Sequence, residues 1–286
     1  MLLRDALDRA MKDWPEALPA SWKPAFREVE LASDKVAASL THDEAKPIFP
    51  GIRPPRPETS SAIAHTFRAF HQVKPSAVRV VVVGQDPYPK PADATGQSFE
   101  QGILTDWIID AKKVAKSLRP ILRHAAVAAT GRKVYQEKGG WARWLEDIAS
   151  GALPIAPPNR IFEAWNRQGV MWINTTLTFT EFKQPVQKAH FAYWQPFINR
   201  FFEHVSTRRS QKPIIFVMWG GWAAGFRPKI EAFARDAGTL NRVHFAISCH
   251  PSAMKPSFLN EPNTLLEVNR ILTEADESPI DWMPSS

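Results

Sequence analysis

The sequence predicts an α/β fold, a three-layer sandwich with a short four-stranded parallel central sheet and helices on both faces. The first observation is a set of four short apolar runs, which occupy Arg79–Val83, Val170–Ile173, Ile214–Trp219 and Val243–Ser248. Continuous apolar runs of this length are typical of strands buried on both faces, as in parallel sheets. The second observation is that the connections between them are far too long for hairpins and suit right-handed helical crossovers.

The segments before the first run are assigned in chain order. Residues 1–45 are predicted to be helical, because apolar residues are interleaved among charged ones. Residues 46–60 contain five prolines and must be extended or looped. They could link two domains, but the composition does not change after them, which favours a wrap over one domain. Ala62–Phe70 is predicted to be a helix. We therefore expect a single domain over residues 1–286, with residues 1–60 as its N-terminal helical and proline-rich part.

The composition excludes several classes of protein. With 286 residues, of which 44% are hydrophobic and 23% charged, the chain is long enough to bury a sizeable core. Its single cysteine excludes a disulfide framework, a four-thiolate iron–sulfur cluster and a cysteine-rich zinc site. No apolar run approaches the roughly 18 residues of a membrane span. Four acidic residues among the first twenty argue against a secretory or mitochondrial leader, so we expect a cytoplasmic protein.

The charge and the aromatic content favour nucleic acid as a partner. The formal net charge is +7, and a basic balance suits a polyanion. Trp and Phe number 11 and 17. Most of these rings are expected in the core, and a few could stack on bases.

Polar or Gly- and Pro-containing clusters directly follow the four runs. They read GQDPYP, NTTLT, GGWAAG and CHPSAM and occupy Gly84–Pro89, Asn174–Thr178, Gly220–Gly225 and Cys249–Met254. The carboxyl ends of parallel strands share one edge of the sheet, and ligands of open α/β sheets bind there. We therefore expect four segments that are distant in sequence to form one site at this edge.

The side chains expected at that edge form a small catalytic set. They are Gln85, Asp86, Tyr88, Phe99, Asn174, His250 and Ser252. No GxSxG elbow, GxGxxG fingerprint or GxxxxGK[ST] loop occurs in the sequence, which disfavours a serine hydrolase, a dinucleotide enzyme and a P-loop NTPase. Cys249 and His250 are not expected to form a thiol–imidazole pair, because neighbours in an extended segment point in opposite directions.

These motifs resemble those of the family 1 uracil-DNA glycosylases. The family carries GQDPYH where this chain has GQDPYP, and its A-x-G-x-x-F context is matched by Ala94, Gly96 and Phe99. The stretch QGVMWINTTLT at Gln168–Thr178 resembles the family's base-reading strand, and VMWG at Val217–Gly220 resembles the end of its third strand. HPSAMK is similar to its last motif, and NRIL and PIDW look like its tail. The resemblance covers most of the chain.

The resemblance implies a monofunctional DNA N-glycosylase. Such an enzyme flips uracil out of DNA, hydrolyses the N-glycosidic bond and leaves an abasic site, which initiates base excision repair. The implied partner is DNA containing uracil, the implied state is a monomer, and neither a cofactor, a metal nor a membrane is implied.

Two residues are implied to be catalytic. Asp86 would position and activate the water and offset positive charge on the sugar, because the reaction passes through an oxocarbenium-like state. Uracil leaves as a delocalised anion, so a second acid can be absent. His250 would act as a neutral imidazole that donates a hydrogen bond to the uracil 2-oxo group. Taken alone, Asp86 could instead cap a turn, and His250 could be a structural histidine.

Four residues are implied to bind uracil. Asn174 would read the base edge with a donor and an acceptor together, which rejects cytosine. Tyr88 would exclude the methyl group of thymine, Phe99 would stack on the flipped base, and Gln85 would contact it. The structural alternatives are a loop cap for Asn174 and core packing for Phe99.

Four further residues are implied to contact DNA. Ser117 and Ser252 resemble the family's phosphate-gripping serines, although serines are common on surfaces. Met254 stands where the family has the leucine that wedges into the duplex, and Met is long enough for that role. Lys255 stands at the place of another phosphate-contacting serine, for which its charge could compensate.

The chain also departs from the family pattern. Pro89 replaces a histidine and Gly221 replaces a serine, both expected to touch phosphate. EQGILTDWIIDAK takes the place of the proline-rich clamp, and residues 133–159 are a probable insert. We therefore expect altered duplex affinity. We also expect weak or no binding of the phage uracil-glycosylase inhibitor protein, which clasps the family's leucine wedge.

Three alternatives are weighed. A glycosylase branch with wider base specificity is disfavoured by Asp86 and Tyr88, and iron–sulfur branches are excluded by the single cysteine. A DNA-binding module with a decayed site is disfavoured by the intact Asp86, Asn174 and His250. A nucleoside hydrolase for small molecules would be expected to carry clustered aspartates, and none is clustered in the sequence.

Overall fold

The computed structural model describes residues 1–52, 61–255 and 257–285. Four parallel strands form its central sheet, in the order β2-β1-β3-β4. They are β1 (Val80–Gly84), β2 (Val170–Asn174), β3 (Ile214–Trp219) and β4 (Val243–Ser248). The predicted strands and the predicted fold class are confirmed, because each apolar run forms a strand of a sheet that helices cover on both faces.

Helices connect and cover the strands. The α-helices of the described residues are α1 (Leu3–Ala10), α2 (Arg68–Gln72), α3 (Leu118–Thr130), α4 (Gly140–Ala149), α5 (Pro158–Arg167), α6 (Gln184–Ser206), α7 (Gly220–Ala224), α8 (Arg227–Asp236) and α9 (Thr264–Glu274). Short 3-10 turns lie at Trp14–Ala17, Lys23–Phe26, Ser33–Lys35, Pro75–Ala77, Lys133–Tyr135, Leu240–Arg242 and Phe258–Asn260.

The sheet separates two hydrophobic cores. Successive strand residues point to opposite faces, so Val81 and Val83 join one core while Val80 and Val82 join the other. The first core contains side chains of α1, α2, α6 and α8 and is rich in Phe. The second contains side chains of α3, α4, α5 and α9 and includes Trp144, Trp165 and Trp172. Coverage of both faces explains why the strands are continuous apolar runs rather than alternating ones.

The expectation that every strand is buried on both faces is wrong for β4. Strands β1, β2 and β3 are buried throughout, whereas His244 and Phe245 of β4 are partly exposed and Ile247 is 39% exposed. Among the described strands, β4 and β2 are the two edges of the sheet, so edge position alone does not explain the exposure. The packing of helices differs, because α2 and α5 pack on β2 and keep it buried.

The prediction of a helical segment over residues 1–45 holds only for α1. The rest of this segment forms three 3-10 turns and irregular structure. Pro15 and Pro24 lie in the first turn of two of these short helices. Proline fits the first helical turn but interrupts a continuing helix, so the proline spacing breaks the segment into short pieces.

The predicted helix over Ala62–Phe70 begins later than expected, since α2 starts at Arg68. The chain before it is held by hydrogen bonds outside a helix, including one from the His65 N–H to the Thr95 carbonyl at 2.9 Å. Within the proline-rich stretch 46–60, residues 53–60 lie outside the described part of the chain. The wrap therefore stays a prediction for those residues.

The segment 133–159 contributes to the second core. Tyr135 and Trp144 are fully buried, and the Tyr135 hydroxyl donates to Asp147 Oδ2 at 2.6 Å. Asp147 also accepts ion pairs from Arg132 and Arg143. The segment is thus packed into the domain, and its being an insertion stays a prediction.

Across the described ranges, we find no helix that combines the length and the hydropathy needed to cross a bilayer.

Candidate active site

A cavity of about 240 Å³ opens at the carboxyl edge of the sheet. Its lining residues are Gly84, Gln85, Asp86, Pro87, Tyr88, Pro89, Gln97, Phe99, Ser117, Asn174, Phe182, Gln187 and His250. The volume is below the roughly 300–1,000 Å³ of drug-sized pockets, so the cavity suits a ligand about the size of a single ring. Residues of the segments after β1, β2 and β4 line this cavity as expected, whereas no residue of Gly220–Gly225 is among the lining residues.

The Asp86 carboxylate lies in the loop that leaves β1 and is partly buried. Its Oδ2 accepts a hydrogen bond at 3.1 Å from Nε2 of Gln187, which lies in the first turn of α6. Burial raises the pKa of Asp86 above its usual value, and the Gln187 hydrogen bond opposes that rise. The backbone beyond β2 fixes this loop, because the N–H groups of Thr175 and Thr176 donate to the carbonyls of Gly84 and Gln85, both at 2.9 Å.

Asn174 ends β2 and is 3% exposed. Its register partner is Gly84, the last residue of β1. A Cβ added to Gly84 would lie 2.3 Å from Asn174 Oδ1 and 2.6 Å from Ser98 Cβ. The absence of a side chain at Gly84 therefore lets the Asn174 amide lie across the end of β1, on the cavity wall.

Phe99 and Tyr88 form an aromatic part of the wall. Phe99 has a left-handed backbone, with φ +61°, and its ring meets Trp219 edge-on at a centroid distance of 5.4 Å. The Tyr88 hydroxyl donates to the Phe99 carbonyl at 3.4 Å and lies 3.2 Å from Ser117 Oγ. Burial raises the pKa of Tyr88, so its phenol stays neutral. These bonds fix the Tyr88 hydroxyl against the Phe99 backbone and against Ser117.

His250 follows β4, and its ring is held by Ser252. The Ser252 backbone N–H donates to His250 Nδ1 at 3.2 Å, and Ser252 Oγ lies 2.7 Å from the same nitrogen. A backbone N–H can only donate, so Nδ1 carries the lone pair and the neutral ring carries its proton on Nε2. Desolvation lowers the pKa of His250, which favours this neutral form.

The segment Gly220–Gly225, which follows β3, leaves room for His250 and supplies no catalytic side chain. Gly220 has φ +88°, and a Cβ there would lie 3.0 Å from the Cβ of His250. The Trp222 indole N–H donates to Thr175 Oγ1 at 2.8 Å, and Thr175 Oγ1 donates to the Gln85 carbonyl at 3.2 Å. The segment after β3 thus braces the loop that carries Asp86.

The predicted residues divide into two groups. The first group lines the cavity, and Ser252 contacts Nδ1 of its member His250. The members of this group are Gln85, Asp86, Tyr88, Phe99, Ser117, Asn174 and His250. Met254 and Lys255 are exposed and are not among the lining residues, and Met254 is 87% exposed. The structure therefore brings the catalytic and uracil-binding candidates together and leaves two of the DNA-contact candidates outside the cavity.

The sequence analysis missed three lining residues, Gln97, Phe182 and Gln187. Gln187 contacts Asp86 from α6, and Phe182 lies in the loop before that helix. Position along the chain could have indicated Phe182 and Gln187. Both follow the Asn174–Thr178 cluster, and they lie just before α6 and in its first turn, where this helix starts at the same edge of the sheet.

In residues 1–52, 61–255 and 257–285 we find no group of three or more His, Cys, Asp or Glu side chains that could hold a metal ion.

Comparison with known proteins identifies the family. The model of the uracil DNA glycosylase superfamily matches residues 70–273, which is more than two-thirds of the chain. The chain belongs to the uracil DNA glycosylase superfamily. This membership confirms the predicted family and assigns the chain to the DNA N-glycosylases, which are hydrolases of N-glycosidic bonds.

Named relatives and solved structures agree with this assignment. A uracil-DNA glycosylase of Deinococcus deserti is 28% identical over 272 residues, covering 94% of this chain and 88% of the relative. A uracil-DNA glycosylase of Bordetella pertussis is also 28% identical, with 93% and 87% covered. The crystal structure of mimivirus uracil-DNA glycosylase superimposes with a TM-score of 0.65 at 18% identity, covering 99% of this chain and 93% of that one. The wild-type UNG of Nitratifractor salsuginis gives 0.61 at 18% identity, with 99% and 98% covered. At this identity the two structures support the fold.

Proposed function

We propose that this protein flips uracil out of DNA into the cavity and hydrolyses its N-glycosidic bond, leaving an abasic site for base excision repair. The observation that carries the proposal is the composition of one small cavity. It combines a partly buried carboxylate, a neutral imidazole, a carboxamide and an aromatic ring around space for one small base.

Asp86 and His250 act on opposite ends of the breaking bond. As the bond between C1′ and the uracil nitrogen breaks, its electron pair goes to the base and positive charge develops on the sugar. The Asp86 carboxylate offsets that charge and orients the water, whose oxygen bonds to C1′. The water gives one proton to the Asp86 carboxylate, which returns it to solvent, and the uracil anion takes up a proton from solvent. The Nε2–H of His250 donates to the 2-oxo group as negative charge develops there.

Four residues of the cavity select the base, namely Asn174, Tyr88, Phe99 and Gln85. The Asn174 amide offers a donor and an acceptor to the 4-oxo group and the N3–H of uracil. Cytosine presents the opposite pattern and would leave a buried amide unpaired, which is costly. Tyr88 blocks the space of the thymine methyl, and Phe99 stacks on the ring. Gln85 contributes a contact from the loop that carries Asp86.

The DNA-contact residues differ from the family pattern, and we propose that they change affinity rather than chemistry. Ser117 and Ser252 bind phosphates, Met254 fills the space left by the extruded base, and Lys255 adds charge. Two solved mimivirus UNG variants are complexes with UGI. For this chain we propose weak or no binding of that inhibitor, since Met254 replaces the wedge leucine. Loss of activity with one equivalent of inhibitor would contradict this proposal.

The test is an excision assay in EDTA. A labelled oligonucleotide with one uracil, either single-stranded or paired opposite guanine, is incubated with the protein and then treated with alkali to cleave abasic sites. Strand breaks that fade in Asp86→Asn and His250→Ala support the proposed function and roles. Retention of the uracil strand in a gel shift without any breaks would indicate a DNA-binding module instead.

A further inference from the structure

The loop between β2 and α6 presents an aromatic ring at the mouth of the cavity. Phe182 lines the cavity together with Asp86 and His250, yet its side chain is 77% exposed. Single exposed apolar residues are common on protein surfaces. Phe182 differs from such residues because it lies beside the space for the flipped base.

Phe182 is attached to an anchored part of the chain. Its ring centroid lies 6.3 Å from that of Phe179, which is 2% exposed. Phe179 is fixed by two backbone hydrogen bonds with Phe49, of 2.7 and 2.9 Å. The Lys183 N–H donates to the Glu181 carbonyl at 2.9 Å, so Phe182 lies within a tight turn. The Phe182 ring thus packs against Phe179 on one side and is exposed on the other.

Two lysines pair with Glu181, the residue that precedes Phe182 in the chain. Lys46 and Lys183 pair with Glu181 at 3.0 and 3.1 Å, and both lysines are largely exposed. The three charges sum to a net positive charge next to Phe182. Aromatic rings among basic groups are the arrangement by which proteins bind single-stranded nucleic acid, with bases stacked on rings and phosphates near cations.

Building on the proposed function, we infer that Phe182 is a stacking platform for the nucleobase next to the flipped uracil. The base in the cavity lies against Phe99, and the neighbouring base of the strand remains outside, where Phe182 is the exposed lining ring. Stacking there holds the neighbouring base without reading its identity, because every base has a π-face.

A double-mutant cycle tests this inference. Binding is measured by fluorescence anisotropy in an Asp86→Asn background, with single-stranded oligonucleotides that carry one uracil. The neighbouring base on the 5′ or the 3′ side is either present or replaced by a tetrahydrofuran abasic residue. We expect Phe182→Ala to weaken binding about 5- to 150-fold. Removal of one neighbouring base should weaken binding similarly with Phe182 present and have little further effect with Phe182→Ala.

Two further variants control for other causes. Phe182→Trp should keep tight binding, because it keeps a stacking surface. Leu240→Ala removes an exposed apolar side chain just before β4, at the opposite edge of the sheet, and should leave binding unchanged. Equal losses from Phe182→Ala with and without each neighbouring base would overturn the inference. If the protein with Asp86 intact excised no uracil, the proposed function itself would fail. If excision were normal but the effects of Phe182→Ala and of removing a neighbouring base were additive, only the stacking role would be overturned.

Discussion

The site has two zones that differ in how firmly their side chains are held. The floor consists of Asp86, Phe99, Asn174 and His250, and the rim consists of Phe182, Met254 and Lys255. On the floor, Asp86 accepts a hydrogen bond from Gln187 and Asn174 is 3% exposed, while His250 is exposed but accepts a hydrogen bond from the Ser252 N–H. On the rim, Phe182 and Met254 are 77% and 87% exposed.

The difference indicates which kinetic constant each zone controls. Groups fixed before the substrate arrives need no reorganisation during the reaction, so they lower the barrier of the chemical step. Exposed side chains lose rotamer freedom when DNA orders them, and that cost reduces what they contribute to binding. We therefore expect floor variants to change kcat and rim variants to change KM and the salt dependence of binding.

Asp86→Asn should give the largest effect. The amide keeps the shape of the side chain but carries no negative charge, so we expect kcat to fall about 10²- to 10⁴-fold. Single-turnover excision of uracil from a single-stranded oligonucleotide measures this change, and anisotropy should show little loss of binding. A variant with nearly normal kcat would remove Asp86 from the chemistry.

His250→Ala should give the next largest effect. Loss of one preorganised donor to a developing oxyanion typically lowers kcat about 10²- to 10³-fold. The measurement is the same single-turnover assay. Ser252→Ala is an informative companion, because it removes the Oγ contact with Nδ1 while the backbone N–H that sets the tautomer remains. Its effect should be clearly smaller, and equal losses would contradict the tautomer argument.

The Gln187→Leu variant tests whether the hydrogen bond to Asp86 sets the pH dependence of the reaction. In the proposed role Asp86 acts as a carboxylate, so activity should fall as pH decreases through its pKa, which burial already raises. Removal of the Gln187 donor raises that pKa further, so the acid limb of the kcat profile should move to higher pH. A hydrogen bond to a charged group contributes about 1.5–3 kcal/mol, so we expect a loss of about 10- to 100-fold near the acid limb.

The control for this variant is Gln184→Leu, which changes an exposed glutamine at the start of the same helix. It should leave the pH profile in place. An unchanged acid limb in Gln187→Leu would show that the Asp86 contact has no role in the reaction.

Met254→Ala should affect duplex substrates more than single strands. In the proposed role the side chain fills the space of an extruded base, and that space exists only where a partner strand is present. Burial of a methionine side chain contributes about 1.5–3 kcal/mol, so we expect KM for duplex to rise about tenfold or more. KM for single strands should change little, and a large fall in kcat for single strands would place Met254 on the floor.

Lys255→Ala should give the smallest effect. If Lys255 contacts one phosphate, its removal should weaken binding of all sequences alike and reduce the slope of log K against log salt by about one. Titrations between low and high salt measure the slope, and an unchanged slope would show that Lys255 lies away from the DNA.

The strands and the position of the site could be predicted because they depend on local patterns. Apolar runs identify strands covered on both faces, and parallel order brings their ends to one edge. The N-terminal segment was predicted less well, because its interleaved apolar residues suggest a helix while Pro15 and Pro24 restrict it to short turns. The start of α2 was also missed, because His65 bonds to Thr95, a contact made only in the folded chain.

Other parts of the site could not be predicted from spacing. The hydrogen bond between Gln187 and Asp86 joins residues 101 positions apart, and glutamine is common in helices. The left-handed backbone of Phe99 is also uncommon for a bulky residue. The roles of Gly84 and Gly220 become visible only when a Cβ is placed against Asn174 and His250. These features depend on packing between segments.

The order of the strands has a consequence for biosynthesis. Strand β1 lies inside the sheet, yet both of its neighbours, β2 and β3, come later in the chain. His250 follows Asp86 by 164 residues, and at about 5–20 residues per second a ribosome needs roughly 8–33 s to add them. Throughout that interval the nascent chain carries Asp86 without the imidazole that lines the same cavity. The hydrolytic cavity is therefore among the last parts of the molecule to be completed, and a chain truncated before β4 would lack it.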